Sequence, residues 1–278
     1  MMQSLESTAL PVDAVKPSPS GPDLDRRFGG LVRLYGADGA RRIREAHVAV
    51  VGIGGVGSWA VESLARSGVG RLTLIDLDHV SESNINRQIH AVDATLGQSK
   101  VLAMQARILS FNPDCVVNSI EEFVDADNWP SVLPSGITAV IDACDQVRAK
   151  VAMAAWARRH RAIFVAVGAA GGKRHAHLVD IDDLAHTTHD PLLAQLRYRL
   201  RKDAQAPREG KKIGVACVFS REAVKSPDSP CSTVGDGSLN CHGYGSVVSV
   251  TATFGHCAAG WVLDRISGDK LTAASENA

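Results

Sequence analysis

No two cysteines in this chain stand as a CxxC pair. The six that occur, Cys115, Cys144, Cys217, Cys231, Cys241 and Cys257, follow no framework spacing in a chain of 278 residues. That pattern argues against a structural zinc site and a disulfide-stapled miniprotein, and places the chain in a reducing cytoplasm. Net charge is lacking too: 30 Lys and Arg balance 30 Asp and Glu. Attraction to nucleic acid or an anionic membrane must therefore come from a local patch. The opening stretch, "MMQSLESTALPVDAVKPSPSGPDLD", has no continuous apolar run, little positive charge and four prolines. It is neither a signal peptide nor a transit peptide, and residues 1–24 are read as a disordered tail.

One long run without charge exists. Residues 243–263, "GYGSVVSVTATFGHCAAGWVL", approach the ~20 residues that cross a bilayer. Ser249, Thr251, Thr253 and His256 interrupt the run, and its small residues suit a helix buried against a sheet or a second subunit. Membrane contact is the lesser reading.

What is present is alternation. "HVAVVG" (47–52), "RLTLID" (71–76), "CVVNSI", "ITAVIDA" and "AIFVAVG" read as strands, and "SWAVESLARSG" (58–68), "QSKVLAMQARILSFNP" and "QVRAKVAMAAWARRH" as the helices between them. This predicts an α/β fold, a doubly wound and mostly parallel Rossmann-like sheet with ligand at the carboxyl ends of its strands. After Gly172 the pattern loosens into "DIDDLAHTTHDP", a basic stretch, a strand "GVACVFS" and a loop rich in Gly, Ser and Pro. Residues 25–172 are assigned to the nucleotide-binding domain, 173–266 to an extension of it and 267–278 to a flexible tail.

The glycine motif comprises Gly52, Gly54, Gly55 and Gly57, between a strand and a helix. Glycines there admit a phosphate to the backbone, and the helix N-terminus offers unpaired N–H groups to the anion. Asp76 follows Gly57 by 19 residues, where an acid takes ribose hydroxyls. These features alone do not separate an NAD enzyme from an ATP or flavin enzyme. The continuation "DLDHVSESNINRQ" does more, because it adds Asp78, Asn84 and Arg87, with Lys100 following in "LGQSK" and Asp145 in "DACDQ". Splitting ATP between its α and β phosphates needs cations and a metal ligand, whereas a dehydrogenase leaves them unexplained.

Those motifs, in order over residues 27–168, resemble the adenylating domain of the ubiquitin-activating-enzyme-like superfamily. The resemblance implies Asp76 on the ATP ribose, Asn84, Arg87 and Lys100 on the phosphates, and Asp145 holding magnesium. "RFGGLVRLYG", "NRQIHA", "DPL", "LRYRLRKD", "GVACVFS" and "VTATFGHCA" further resemble the tRNA threonylcarbamoyladenosine dehydratase family. That family is implied to adenylate the carboxylate of threonylcarbamoyladenosine, beside the anticodon, and to cyclise it with loss of water. A homodimer, a bound Na+ or K+ ion and a cysteine desulfurase as sulfur-transfer partner are further implications. The alternative within the superfamily is an activator of a ubiquitin-like sulfur-carrier protein, with Cys231 as the acyl acceptor. An arginine reaching across a dimer is also implied; its usual position is glycine here, which leaves Arg27 or Arg33.

The basic segment of residues 197–212 carries seven Lys or Arg against two acids and one aromatic, Tyr198. Phosphate contact rather than base stacking is expected of it, through Arg199, Arg201 and Lys202, with Lys173 and Arg174 extending the patch. His186 and His189 in "AHTTHD" lack the partners of a metal site and are read as cap or surface residues.

Overall fold

The computed structural model describes residues 21, 23–208, 210–224 and 244–268. Seven strands form one sheet: β1 (His47–Val51), β2 (Arg71–Ile75), β3 (Val116–Ile120), β4 (Ala139–Asp142), β5 (Ile163–Val167), β6 (Val179–Asp183) and β7 (Ala216–Ser220). Their order is β3-β2-β1-β4-β5-β7-β6, with every neighbouring pair parallel except β6 with β7. The parallel, doubly wound sheet is as the alternation predicts.

Strand side chains alternate between two layers, since successive residues point to opposite faces. Val48, Val50, Leu72 and Leu74 join Leu64 of α2 (Gly57–Arg66), Met104 of α3 (Lys100–Phe111) and Phe254 of α6 (Val248–Ser267). Ala49, Val51 and Ile75 face the other way, against Met153 of α4 (Val147–His160) and Leu193 and Leu196 of α5 (Pro191–Asp203). The run expected to be a buried helix is α6, shifted a few residues towards the C-terminus. It crosses α2 at Gly255, where a Cβ would come within 2.6 Å of the Val56 carbonyl oxygen. No helix among the described residues is long and apolar enough to cross a membrane.

Three elements go beyond the sequence reading. One is α1 (Leu24–Glu45), which is bent at Gly36, where φ is 71°; its glycines lower helix propensity and hid it. The second is β6, whose sequence VDIDD alternates over only four residues, with Val179 and Ile181 packed on the core, and is too short and too acidic to stand out as a strand. The third is α5, whose second half overlaps the stretch read only as basic. Asp190 caps it by accepting from Leu193 N, Pro191 opens it, and Leu192, Leu193, Leu196 and Leu200 form its buried stripe. That signal was legible and was overshadowed by the charges around it.

Candidate nucleotide site

The strand order reverses direction between β1 and β4, so the loops leaving these two strands diverge to opposite sides and open a crevice at the carboxyl edge. The glycine loop leaves β1 there. Gly52 adopts φ 86°, and a Cβ on it would lie 2.9 Å from the Ala143 carbonyl, in the turn after β4. Gly57 is closer still to a neighbour, with its Cβ position 1.7 Å from the Gly52 oxygen. Side chains at either position would force the loop open. Gly54 faces open space. The first turn of α2 has no side-chain cap; within it Ser58 N donates to the Gly54 carbonyl oxygen at 3.1 Å.

Asp76, at the end of β2, is buried and bonded to backbone through both oxygens: Oδ2 accepts from Ile53 N at 2.6 Å and Oδ1 from Asp78 N at 2.9 Å. It therefore ties the glycine loop to the β2 exit. Burial pushes its carboxyl above the ordinary range, against the pull of Lys100 and of the two N–H donors. Lys100 opens α3 and is buried; its Nζ lies 2.6 Å from Asp78 Oδ2, and its N–H donates to the Asp78 carbonyl. One ammonium proton is thus engaged by Asp78, and two remain for an anion.

Asn84 closes a short turn, its Oδ1 accepting from Ser81 N at 3.1 Å. Arg87 lies against the glycine loop, where a Cβ on Gly55 would be 3.3 Å from its Cγ and Cδ. Its guanidinium donates to Ser83 O and Asn86 Oδ1, and its carbonyl accepts from Trp59 Nε1. Burial lowers its pKa. On the far side of Gly52, Asp145 is exposed at the β4–α4 turn. The fold thus places the glycines, Asp76, Asp78, Asn84, Arg87, Lys100 and Asp145 beyond the carboxyl ends of β1, β2 and β4, with contacts joining Ile53 to Asp76, Asp76 to Asp78, Asp78 to Lys100 and Gly55 to Arg87.

Beneath that turn lies a pair absent from the sequence reading as such. Lys150 and Asp142 are both fully buried, with Nζ 3.0 Å from Asp142 Oδ1. Burial by itself would lower the lysine, but the carboxylate beside it more than offsets this and keeps Lys150 protonated. The signal was a lysine on the apolar stripe of α4, in line with Met153, Ala154 and Ala157. Cys144 and Cys217 lie next to this pair, and burial raises both thiols well above the ordinary value.

The basic patch needs correction at one position. Lys173 is buried rather than on the surface, and its ammonium donates to the carbonyls of His189 and Glu222. A lysine so enclosed cannot reach a phosphate outside. Arg174, Arg199 and Lys202 are exposed; Arg201 is half buried and donates to Pro207 O. Arg27, on α1, donates to the Phe111 carbonyl of its own chain at 2.7 Å, while Arg33 stands exposed on the same helix. His186 contacts Asp182 Oδ1 at 3.1 Å, and His189 directly precedes the cap of α5. Cys231 and Cys241 lie outside the described residues, as do residues 1–20 and 269–278 of the expected tails.

Residues 27–278 match the ThiF family. The tRNA threonylcarbamoyladenosine dehydratase of Haemophilus influenzae is 42% identical over 248 residues, covering 87% of this chain and 94% of that protein. The Escherichia coli dehydratase is 43% identical over 250 residues, covering 87% and 93%. The solved structure of the E. coli enzyme in complex with ATP superposes with a TM-score of 0.80 at 42% identity, covering 91% of this chain and 98% of that one.

Proposed function

Because this chain belongs to the ThiF family, alongside its tRNA threonylcarbamoyladenosine dehydratases, we propose that it adenylates the carboxylate of threonylcarbamoyladenosine in tRNA and closes it into a ring. The observation that carries the reading is a glycine loop flanked by Arg87 and Lys100, on a fold that superposes with an ATP-bound relative over nearly all of its length.

The carboxylate oxygen of the substrate attacks the α phosphorus of ATP, the bond to the β phosphate breaks, and pyrophosphate leaves with the electron pair. Asp76 accepts from the ribose, N–H groups of the glycine loop meet phosphate oxygens, and Arg87 and Lys100 face the charge that builds on the leaving group. An acyl adenylate results. A nucleophilic atom of the same side chain then attacks the acyl carbon and AMP departs, which gives loss of one water overall. Because nucleophile and electrophile share one side chain, proximity replaces an enzyme nucleophile. Cys231 is accordingly not needed as an acyl acceptor.

A magnesium ion fits the donor set. Such an ion bound with a nucleotide takes one or two protein carboxylates, the rest coming from phosphates and water, so the single exposed Asp145 suffices. When bound it would neutralise phosphate charge as pyrophosphate forms. Neither a sodium or potassium ion nor a cysteine desulfurase is required for these steps. Exposed Arg174, Arg199 and Lys202 supply phosphate contacts for tRNA, and a cytoplasmic location follows from that substrate. A homodimer in which Arg33 reaches the neighbouring site completes the proposal.

The test is release of AMP and pyrophosphate with tRNA carrying the modified adenosine, set beside a carrier protein ending in Gly-Gly. Digestion of the tRNA should yield a nucleoside lighter by one water. AMP release with the carrier alone, and an unchanged nucleoside, would overturn the assignment in favour of a sulfur-carrier activator.

A further inference from the structure

A fully buried ammonium is costly unless it is paired, and a buried ion pair is no more stable than well-packed apolar residues of the same volume. Apolar side chains at both positions would fill the same space, so bulk stability does not account for the pair of Lys150 with Asp142. Its location does. Lys150 Nζ lies 3.0 Å from Asp142 Oδ1 and 3.4 Å from the Asp142 carbonyl oxygen, so it grips the last residue of β4 by side chain and backbone together. The same Oδ1 accepts from Cys144 N at 3.2 Å. On the opposite side, Ala143 N donates to Val51 O at 2.8 Å, and Gly52 packs directly on the Ala143 and Cys144 backbone. The turn is held from below by the ion pair and from the side by the glycine loop. Asp145 is the next residue.

We propose that Lys150 is a positioning residue that fixes the Ala143–Cys144 turn and so aims the Asp145 carboxylate at the metal accompanying the nucleotide. This rests on the adenylation reading for the identity of the ligand, but the constraint on the turn is geometric. Outer-shell partners of metal ligands change metal affinity by about 10- to 100-fold when removed, which sets the scale.

The experiment is a titration of the full-length protein with Mn2+ as a magnesium probe in the presence of ATP, with free Mn2+ followed by electron paramagnetic resonance. Lys150→Met should raise the half-saturating concentration about tenfold. In an Asp145→Asn background the same change should shift it less than about twofold, because a residue acting through Asp145 has nothing left to position. Lys150→Met leaves Asp142 buried without its cation, so Asp142→Asn/Lys150→Met serves as the folding control: thermal stability should recover towards wild type while metal affinity stays low. Unchanged Mn2+ affinity in Lys150→Met would overturn the proposal. So would an equal loss in the Asp145→Asn background, or recovery of affinity together with stability in the double variant. If wild type forms no AMP with modified tRNA while this pattern of Mn2+ shifts holds, the reaction assignment fails and the positioning role stands.

Discussion

Replacement of Lys100 by methionine removes one cation from the crevice while keeping most of its volume. Two consequences differ in size. The pair with Asp78 is half exposed on the carboxylate side, at 54%, so its loss costs only about 0–1 kcal/mol of folding stability. A drop of that size lowers the melting temperature by roughly 2–4 °C at most for a chain of this length. The other consequence is chemical. The Lys100 ammonium is buried at the start of α3 and points two unengaged protons into a region shielded from water, where a preorganised donor to developing charge is worth about 2.7–4 kcal/mol. Single-turnover formation of AMP should fall by about 100- to 1000-fold. ATP affinity by calorimetry should fall far less, since the charge on the leaving group grows only as the bond breaks. A variant that formed AMP at the wild-type rate once saturated, with only the ATP requirement raised, would refute the reasoning and reduce Lys100 to a binding residue.

Gly57→Ala places a methyl group where the Gly52 carbonyl oxygen now sits, so it should cost at least about 1–3 kcal/mol in urea unfolding and abolish ATP binding; retained binding would show that the loop has slack the packing denies. Asp76 gives a pH signature with two opposite signs. Its folded pKa is raised by burial, so ribose binding by the ionised carboxylate should weaken with acidification at a higher pH than for an exposed aspartate. The same group's contribution to stability should rise as pH falls through that value, because the folded state then binds the proton more readily than the unfolded chain. Calorimetric ATP affinity against pH, with Asp76→Asn as the flat reference, checks the first, and denaturation at the same pH values checks the second.

The strands and helices that frame the crevice were readable because each is buried in a regular period: five residues in β1 are all buried, and α2 turns its apolar stripe inward. The glycine loop and Asp76 were readable for a different reason, since a tight backbone approach admits few residue types. What escaped was set by distant partners. Lys173 looks like any surface lysine in sequence, and only the carbonyls of His189 and Glu222, 16 and 49 residues away, make it an interior residue. Lys150 was passed over as part of a helix because its partner Asp142 sits across a turn on a strand. The period of β6 is confined to Val179 and Ile181 among three aspartates, too short to read, and α1 is a helix whose glycines argue locally against it.

The antiparallel strand β6 bears on how copies of this chain can associate. It ends the sheet, and an uncovered strand edge is a template on which a second sheet can add. Strand β6 carries Asp180, Asp182 and Asp183, with Asp180 paired to Arg221 and Asp183 accepting from the N–H groups of Ile213 and Gly214, which flank β7. An incoming strand would have to strip water from partly exposed carboxylates, so growth of the sheet from one molecule into the next is opposed on this side. The crevice, set in the interior of the sheet between β1 and β4, lies away from this border.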